Sequence, residues 1–307
     1  MGIEAIDHIK FVGPENGSKE DLTILYQILR QNAATIEALS KIGYPALSKR
    51  GKYSFTFLER ACIVTYRGPG KHRKKGHIRL FGYGNNKDAL EKEMKERAVS
   101  AGDQFLIVVP YPLFSMEEMP TKFDDYIIKE EDPNPVYRLA MRRSDFEQCE
   151  QKYGEAADAD LTMLEQDKFE IIPVQTEISN KVTQFADTNY PNNIFDPYNV
   201  TAYDLHFAFI DSKGEIASLS GIGGRRKVEI EGINHELFLL LDGITRADVR
   251  NKHLVSHLVR HIAKIIFSSS PNAVIIVDAN NKSLSLLTRA GFKHISTFLW
   301  CDYKKIK

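Results

Sequence analysis

Residues 237–292 read LFLLLDGITRADVRNKHLVSHLVRHIAKIIFSSSPNAVIIVDANNKSLSLLTRAGF, and this stretch decides the fold. Its apolar spacing predicts strands that alternate with helices. The predicted elements are a strand (Leu237–Leu241), a polar turn (Thr245–Asn251), a helix from about Lys252 to Phe267, a second strand (Ala273–Val277) and a short helix (Lys282–Arg289). Such alternation is typical of α/β or α+β folds with β-α-β crossovers.

The start of the longer helix is a candidate site for an anion. The first turn of any helix has backbone N–H groups without helical partners, and the positive end of the helix dipole lies there. A phosphate group can bind at such a position. Arg250 lies in the preceding turn and adds a fixed positive charge.

The same segment resembles the GNAT N-acetyltransferase superfamily. In that superfamily the loop that binds the acetyl-CoA pyrophosphate has the pattern Arg/Gln-x-x-Gly-x-Gly/Ala. The strand and helix that follow carry an Asn and end in Gly-Phe. The positions that match are Arg250, Asn280, Gly291 and Phe292. The positions that depart are His253 and Val255, which replace the two loop glycines, and Leu287, which replaces a tyrosine that often serves as general acid.

A second segment narrows this resemblance. Residues 190–198, YPNNIFDPY, carry a Tyr-Pro and an Asp-Pro pair, as in bacterial and archaeal β-lysine N-acetyltransferases, which this part of the chain resembles. Asp242, eight residues before Arg250, also matches that family. The resemblance implies acetyl-CoA as cosubstrate and a small amine, such as a diamino acid, as acceptor.

The resemblance also implies where acetyl-CoA binds. Backbone N–H groups near the end of the first strand would polarise the thioester carbonyl, and Gly243 would ease a local bulge there. The pyrophosphate would lie on the Arg250 turn and on the start of the helix. The predicted cosubstrate-binding residues are Ile244, Thr245, Arg250, Asn251, Lys252, His253, Leu254 and Val255.

Catalytic and acceptor-binding residues follow from the same register. Asp242 is the first candidate for the base that takes the proton of the amine, and Glu236 is the second. Asn280 completes the predicted catalytic set. The predicted acceptor-binding residues are Tyr190, Asn193, Asp196 and Tyr198, whose phenol rings and carboxylate suit a small cationic amine. The alternative is that this loop is only a connector whose tyrosines pack on the core.

Histidines recur at helical spacing after the turn. His253, His257 and His261 are each one helical turn apart, a spacing that could bind a metal or transfer a proton. No carboxylate or cysteine in that helix has ligand spacing, so no metal is predicted. His253 differs from the other two because it occupies a glycine position of the loop.

Composition limits the remaining classes of function. The 307 residues include 41 acidic and 41 basic side chains, so the overall charge favours neither nucleic acid nor an anionic membrane surface. No apolar run reaches the roughly 18 residues of a membrane helix. The three cysteines, Cys62, Cys149 and Cys301, are far apart and fit reduced thiols. We expect a cytoplasmic protein.

The N-terminal part contains a similar order of elements. Packed helices are predicted over Asp21–Ile42, two strands follow, and Arg67–Gly76 is a basic turn that is either a phosphate contact or a solvated loop. A strand (Ile78–Phe81), a helix (Lys87–Ser100) and a strand (Phe105–Val109) then repeat the later pattern without its loop Arg or its Asn. This region is either a degenerate GNAT-like half or an unrelated β-α-β unit.

The second half begins after a polar segment rich in alanine and acidic residues, Gly154–Asp160. Two domains are predicted, 1–153 and 161–307, the second a GNAT-like mixed sheet flanked by helices. Within it, Gly221–Gly224 is predicted to be a turn between two strands, Glu215–Gly221 and Lys227–Glu231.

Three functions agree with these patterns. The first is an acetyl-CoA-dependent N-acetyltransferase acting on a small amine. The second is a GNAT-fold binding protein that has lost turnover, suggested by the departures at His253, Val255 and Leu287. The third is an acyl or aminoacyl transferase built from two GNAT-like halves.

Overall fold

The structure is a computed structural model of the 307-residue chain. The residues described below are 9–12, 52–58, 61–67, 78–84, 86–98, 104–111, 113–119, 122–123, 125–128, 134–175, 178–189, 204–230 and 233–306. The helices predicted over Asp21–Ile42 and most of the basic turn Arg67–Gly76 lie outside these ranges.

Fourteen strands and five α-helices make up the described part of the chain. The strands are β1 (Ile9–Val12), β2 (Lys52–Leu58), β3 (Ala61–Arg67), β4 (Ile78–Gly84), β5 (Gln104–Tyr111), β6 (Lys122–Phe123), β7 (Tyr126–Ile128), β8 (Asn134–Arg142), β9 (Glu170–Pro173), β10 (Leu205–Ile210), β11 (Ile216–Ile230), β12 (Ile233–Thr245), β13 (Ala273–Ala279) and β14 (Lys293–Lys305). The helices are α1 (Lys87–Ala98), α2 (Arg143–Gln166), α3 (Ser179–Asn189), α4 (Leu254–Ser269) and α5 (Asn281–Arg289).

All of these strands belong to one mixed sheet. Its order is β2-β3-β4-β5-β14-β8-β13-β12-β11-β10-β9, with β1 beside β11 and the β6–β7 hairpin beside β14. Among the described strands, only the pairs β4–β5 and β12–β13 are parallel. Each parallel pair is connected through a helix, α1 in the first case and α4 in the second. The predicted class, a mixed sheet flanked by helices, is confirmed.

The two halves of the chain exchange strands at the centre of the sheet. Strand β8, from the first half, lies between β13 and β14, while β14, from the second half, lies between β5 and β8. The segment Gly154–Asp160, predicted to separate two domains, lies inside the continuous helix α2. Its alanines and acids favour a helix, and its carboxylates pair with Arg260 of α4 and other basic side chains.

The core lies on both faces of the central strands. Residues 273–277 of β13 are all at least 93% buried, as expected for a strand covered on both sides. On one face, alternate residues of β8, β12 and β13 pack under α4 and α5 in a single cluster. On the other face, α3 packs on β10, β11 and the last residues of β12 through Val182, Phe185 and Ile244.

The glycine-rich segment Gly221–Gly224 is not a turn. Strand β11 continues through it, and the register with β12 shifts by one residue between Ile222 and Gly224. A Cβ atom on Gly223 would lie 2.0 Å from Cδ1 of Leu241 on β12. The glycine therefore permits a bulge inside a long strand, which the sequence pattern cannot distinguish from a hairpin turn.

Candidate active site

Strands β12 and β13 stop pairing before either strand ends. Their last paired residues are Leu239 and Ile276, but β12 continues to Thr245 and β13 to Ala279. The sheet therefore has an opening between neighbouring parallel strands, at their carboxyl ends. In open α/β sheets, ligands bind at the carboxyl ends of the strands.

A bulge in β12 lies beside this opening. Leu241 faces Gly221 and Ile244 faces Leu219, so three steps along β12 match two steps along β11. The extra residue lies within Asp242–Gly243, and the bulge that Gly243 was predicted to ease is confirmed. A bulge of this kind changes the direction in which backbone groups point.

The bulge is in contact with the first turn of α4. Gly243 is exposed, and a Cβ atom at this position would lie 3.1 Å from Cγ1 of Val255. Val255 occupies a position where the GNAT loop pattern has a small residue. The side chain present on the helix therefore uses the space that the strand leaves empty.

The chain enters α4 through a short 3-10 helix, Ala247–Lys252, and one left-handed residue. That residue is His253, with φ of +53°, a conformation that costs a non-glycine residue energy. His253 thus has a backbone conformation that favours glycine, at a position where the loop pattern has a glycine. Its side chain makes no capping hydrogen bond to the helix, so α4 begins without a side-chain N-cap.

Three basic residues lie near this helix start, and two of them form ion pairs with carboxylates of the protein. Arg246 binds the carboxylates of Asp211 and Asp248 at 2.9 and 2.7 Å, and Lys252 binds Asp167 of the α2 end at 2.7 Å. Arg250 is exposed and has no hydrogen-bond or ion-pair partner within the described ranges. Arg250 is therefore the cation that remains available for a ligand.

The predicted catalytic residues are at different places in the sheet. Asp242 belongs to the bulge, although its side chain lies outside the described part of the structure. Glu236 lies six residues earlier, about 20 Å along the strand at roughly 3.3 Å per residue. It faces Ala273, at the start of β13. The structure therefore does not bring Glu236 to the opening, where the base would have to act.

Glu236 has a local role at its own end of β12. Its carboxylate binds Arg225 at 2.7 Å, accepts a hydrogen bond from Ser270 and lines a cavity of about 390 Å³. Burial acts to raise the pKa of Glu236, but the hydrogen bonds from Ser270 and Arg225 outweigh it and hold this pKa below its usual value. The group is an ion-paired carboxylate, whereas a base needs a free one.

Asn280 begins helix α5 at the far side of the opening. Its Oδ1 accepts hydrogen bonds from the backbone N–H groups of Lys282 and Ser283, both at 3.0 Å. These bonds make Asn280 the N-cap of α5. A catalytic role for Asn280 stays a prediction.

The predicted acceptor residues Tyr190, Asn193, Asp196 and Tyr198 lie outside the described residues. Their segment starts directly after α3, which ends at Asn189. Helix α3 itself packs against Ile244, next to the bulge.

The later histidines of α4 have structural partners. His257 is buried and its Nε2 lies 2.8 Å from Oδ2 of Asp160 on α2, while the ring of His261 packs edge-on against Phe207. Burial lowers the pKa of His261. Within the described ranges, no group of three His, Cys, Asp or Glu side chains is placed to hold a metal ion. Of the helices described, none combines the length and apolar character needed to cross a bilayer.

No local sequence pattern predicts one ion pair that lies near the opening. Arg138 of β8 and Asp278 of β13 form two parallel hydrogen bonds, at 2.7 and 2.8 Å, although they are 140 residues apart in the chain. Only the exchange of β8 into the second half brings them together. Asp278 lies two residues beyond Ile276, where the pairing with β12 ends.

Comparison with known proteins supports the fold at low sequence identity. No family model matches the chain, and no curated protein is similar to it. A GCN5-related N-acetyltransferase-like protein from Streptococcus suis superposes with a TM-score of 0.50 and 12% identity, over 94% of this chain and all of that one. The chain has the GNAT fold.

Two further structures match over nearly their full lengths. A Drosophila protein gives a TM-score of 0.57 at 10% identity, covering 98% of this chain and 99% of that one. A functionally unknown conserved protein from Staphylococcus epidermidis gives 0.51 at 9%, covering 87% and 99%. Both halves of the sheet are therefore part of the arrangement shared with these two structures. None of the three is named as a β-lysine acetyltransferase, so that narrower resemblance stays a prediction.

Proposed function

We propose that this protein transfers an acetyl group from acetyl-CoA to the primary amine of a small molecule. One observation carries the proposal. The end of β12–β13 pairing, the bulge at Asp242–Gly243 and the start of α4 without a side-chain cap all lie at one place. A long thioester with a phosphate-bearing end would place its thioester at the opening and its phosphates at the helix start.

The pyrophosphate of CoA would lie on the start of α4. The backbone N–H groups of Leu254 and Val255, which have no partners within α4, and the positive end of the helix dipole favour an anion there. The guanidinium of Arg250 adds a charge-assisted contact, since Arg246 and Lys252 are held by carboxylates of the protein.

The thioester would lie in the opening, against the backbone of β12. The N–H of Arg246 donates to the carbonyl of Ala217 on β11. Because hydrogen-bonding directions alternate along a strand, the N–H of Thr245 points away from β11, toward the opening. In this position it can donate to the thioester oxygen as negative charge develops.

The reaction would be a direct attack of the amine on the thioester. The nitrogen bonds to the carbonyl carbon, the carbon–sulfur bond breaks, and CoA leaves as the thiolate. The nitrogen loses one proton, which we assign to the carboxylate of Asp242 directly or through water and then to the departing sulfur. Leu287, buried in the core, supplies no acid for that last step.

A CoA-binding protein without turnover is the second candidate. It is favoured by Val255, whose side chain lies beside Gly243 and occupies space next to the thioester position. An assay of free CoA release with lysine isomers, ornithine, polyamines and a lysine-containing peptide separates the two. Tight acetyl-CoA binding without release for any amine would support the second candidate.

Calorimetric titration with acetyl-CoA tests the binding site. Arg250→Ala should weaken binding by about tenfold or more, since a hydrogen bond to a charged group contributes roughly 1.5–3 kcal/mol. Lys87→Ala is the matched control, because Lys87 begins α1, the corresponding helix of the first half, and is paired with Glu118. Equal affinity of Arg250→Ala and the wild type, or equal weakening in both variants, would contradict the proposed site.

A further inference from the structure

We propose that Asp278, held in place by Arg138, binds the second, non-reacting ammonium group of a diamine or diamino acid acceptor. The inference rests on the proposed function and specifies its acceptor. It begins with the face of the sheet on which Asp278 lies. Ile275, Val277 and Ala279 pack under α4 and α5. Since side chains alternate along a strand, Asp278 projects from the opposite face.

That opposite face is the acceptor side of the opening. Helix α3 packs on it, next to the bulge, through contacts with Ile244. The pyrophosphate position at the start of α4 belongs to the first face, because Leu254 and Leu258 of α4 pack there with Phe209. A donor that enters from α4 and passes between β12 and β13 therefore presents its acetyl group toward the face that carries Asp278.

The carboxylate of Asp278 is fixed in orientation but not fully covered. Arg138 is 2% exposed, binds both carboxylate oxygens and stacks on the Phe298 ring, with its Cζ atom 4.7 Å from the ring centre. Asp278 is 16% exposed. A carboxylate has about four acceptor sites, and Arg138 occupies two of them. The remaining sites can accept hydrogen bonds from an ammonium group without breaking the pair.

A third polar residue extends this row across the sheet. Ser296 of β14 is the cross-strand neighbour of Arg138, just as Asp278 is on the other side. Within the described part of the chain, the Ser296 hydroxyl oxygen is buried and has no hydrogen-bond partner. Buried polar atoms nearly always have a hydrogen-bond partner, either a protein group or an ordered water. Asp278, Arg138 and Ser296 thus form a polar strip across three neighbouring strands on the acceptor side of the sheet.

The attacking nitrogen must be neutral, so it is not the group that Asp278 holds. A compound with two amines meets both requirements, because one amine reacts while the other stays protonated and binds the carboxylate. The wild type should therefore prefer 1,5-diaminopentane or lysine over pentylamine, which has the same reach but no second charge.

Steady-state kinetics with this matched pair of acceptors test the inference. Asp278→Asn should lower kcat/KM for 1,5-diaminopentane by tenfold or more, mostly through KM, and leave pentylamine turnover and acetyl-CoA affinity unchanged. Glu150→Gln is the control, since it breaks a comparable bond, from Arg260 to Glu150 at 2.6 Å, between α4 and α2. It should leave the preference between the two acceptors unaltered.

Arg138→Lys provides a second variant in case Asp278→Asn does not fold. It keeps a positive charge beside Asp278 but removes the bidentate hydrogen bonding of the guanidinium. The preference for the diamine should therefore fall by a smaller factor than in Asp278→Asn. A wild type that treats both acceptors alike, or an Asp278→Asn variant that loses activity on both equally, would overturn the inference. Either result leaves the proposed function intact if Arg250→Ala still weakens acetyl-CoA binding.

Discussion

The two parallel β-α-β units of this protein share a plan and differ in how the chain enters the helix. In both units four residue pairs join the strands, from Ile78–Phe105 in β4–β5 and from Glu236–Ala273 in β12–β13, and both pairings end before the strands do. In the first unit only two residues separate β4 from α1. In the second, eight residues separate β12 from α4, and six of them form the 3-10 helix Ala247–Lys252.

The start of α1 is closed by the protein's own groups. Asn86 accepts a hydrogen bond from the N–H of Ala89 at 3.2 Å, and Lys87 is paired with Glu118. The start of α4 has no side-chain cap, and within the described ranges Arg250 beside it has no partner. An anion therefore finds free donors and charge at α4 but not at α1.

The strands of the two units also differ in the regularity of their pairing. The β3–β4 ladder runs through seven pairs without a shift, whereas the β11–β12 ladder contains two bulges. Under the proposed function, a parallel unit is a scaffold, and a bulge and a longer entry into the helix convert it into a ligand site. We therefore expect one cosubstrate site, in the second unit.

The largest expected effect concerns the glycines of these strands. Gly223→Ala should destabilise the protein by about 1–3 kcal/mol, because its Cβ would lie 2.0 Å from Cδ1 of Leu241 and force that side chain out of its present position. Gly82→Ala in β4 is the matched control, since its Cβ would meet Leu90 and Val109 at an ordinary 3.4 Å. Urea denaturation measures both, and equal losses of stability would refute the difference between the two ladders.

A smaller effect is expected at the two helix starts. Asn86→Ala should cost about 1 kcal/mol of unfolding free energy, because α1 loses its cap. His253→Gly should instead stabilise the protein by roughly 0.5–1 kcal/mol, because glycine adopts the left-handed conformation without steric cost.

Substitution by alanine provides the control for that second variant. His253→Ala keeps the strain of a side chain at φ of +53°, so it should not stabilise the protein. Urea denaturation midpoints with unchanged slopes would measure all three variants. A gain in stability for His253→Ala would show that the His253 side chain, and not its backbone conformation, is the unfavourable feature.

Local patterns in the sequence predict the parts of this site that depend on near neighbours. The order of elements from Leu237 to Arg289 and the bulge at Gly243 are both confirmed. Each depends on residue types within a few positions of one another. The confirmed fold class depends on the same periodicity.

What the sequence misses is set by distant partners. Gly221–Gly224 forms part of a strand because β12 pairs along its whole length. Strand β8 lies between β13 and β14 because two halves of the chain exchange strands, and that exchange alone creates the Arg138–Asp278 pair. No short-range pattern carries information on either.

The smallest expected effects are changes in carboxylate pKa when the basic residues at the two helix starts, Lys87 and Arg250, are replaced. The hydrogen bond from Lys87, together with the N–H of Ser115, lowers the pKa of Glu118 from 4.5 to about 2. A folded-state pKa below the unfolded value means that this contribution to stability is present above about pH 4.5 and is lost as the pH falls toward 2. Glu118 is fully exposed, so its protonation is best followed directly, by NMR of the carboxyl carbon.

Lys87→Ala should move the Glu118 titration up toward pH 4.5, because the largest cause of its lowered pKa is removed. Arg250→Ala should move no described carboxylate in this way. Asp248 lies two residues before Arg250, and the hydrogen bond from Arg246 lowers its pKa. The pKa of Asp248 should therefore stay lowered in Arg250→Ala. If Arg250→Ala raised the pKa of Asp248, Arg250 would already be engaged by the protein and would be unavailable to CoA. If Glu118 still titrated near pH 2 in Lys87→Ala, the Ser115 N–H would be its main partner, and Lys87 would be as free as Arg250.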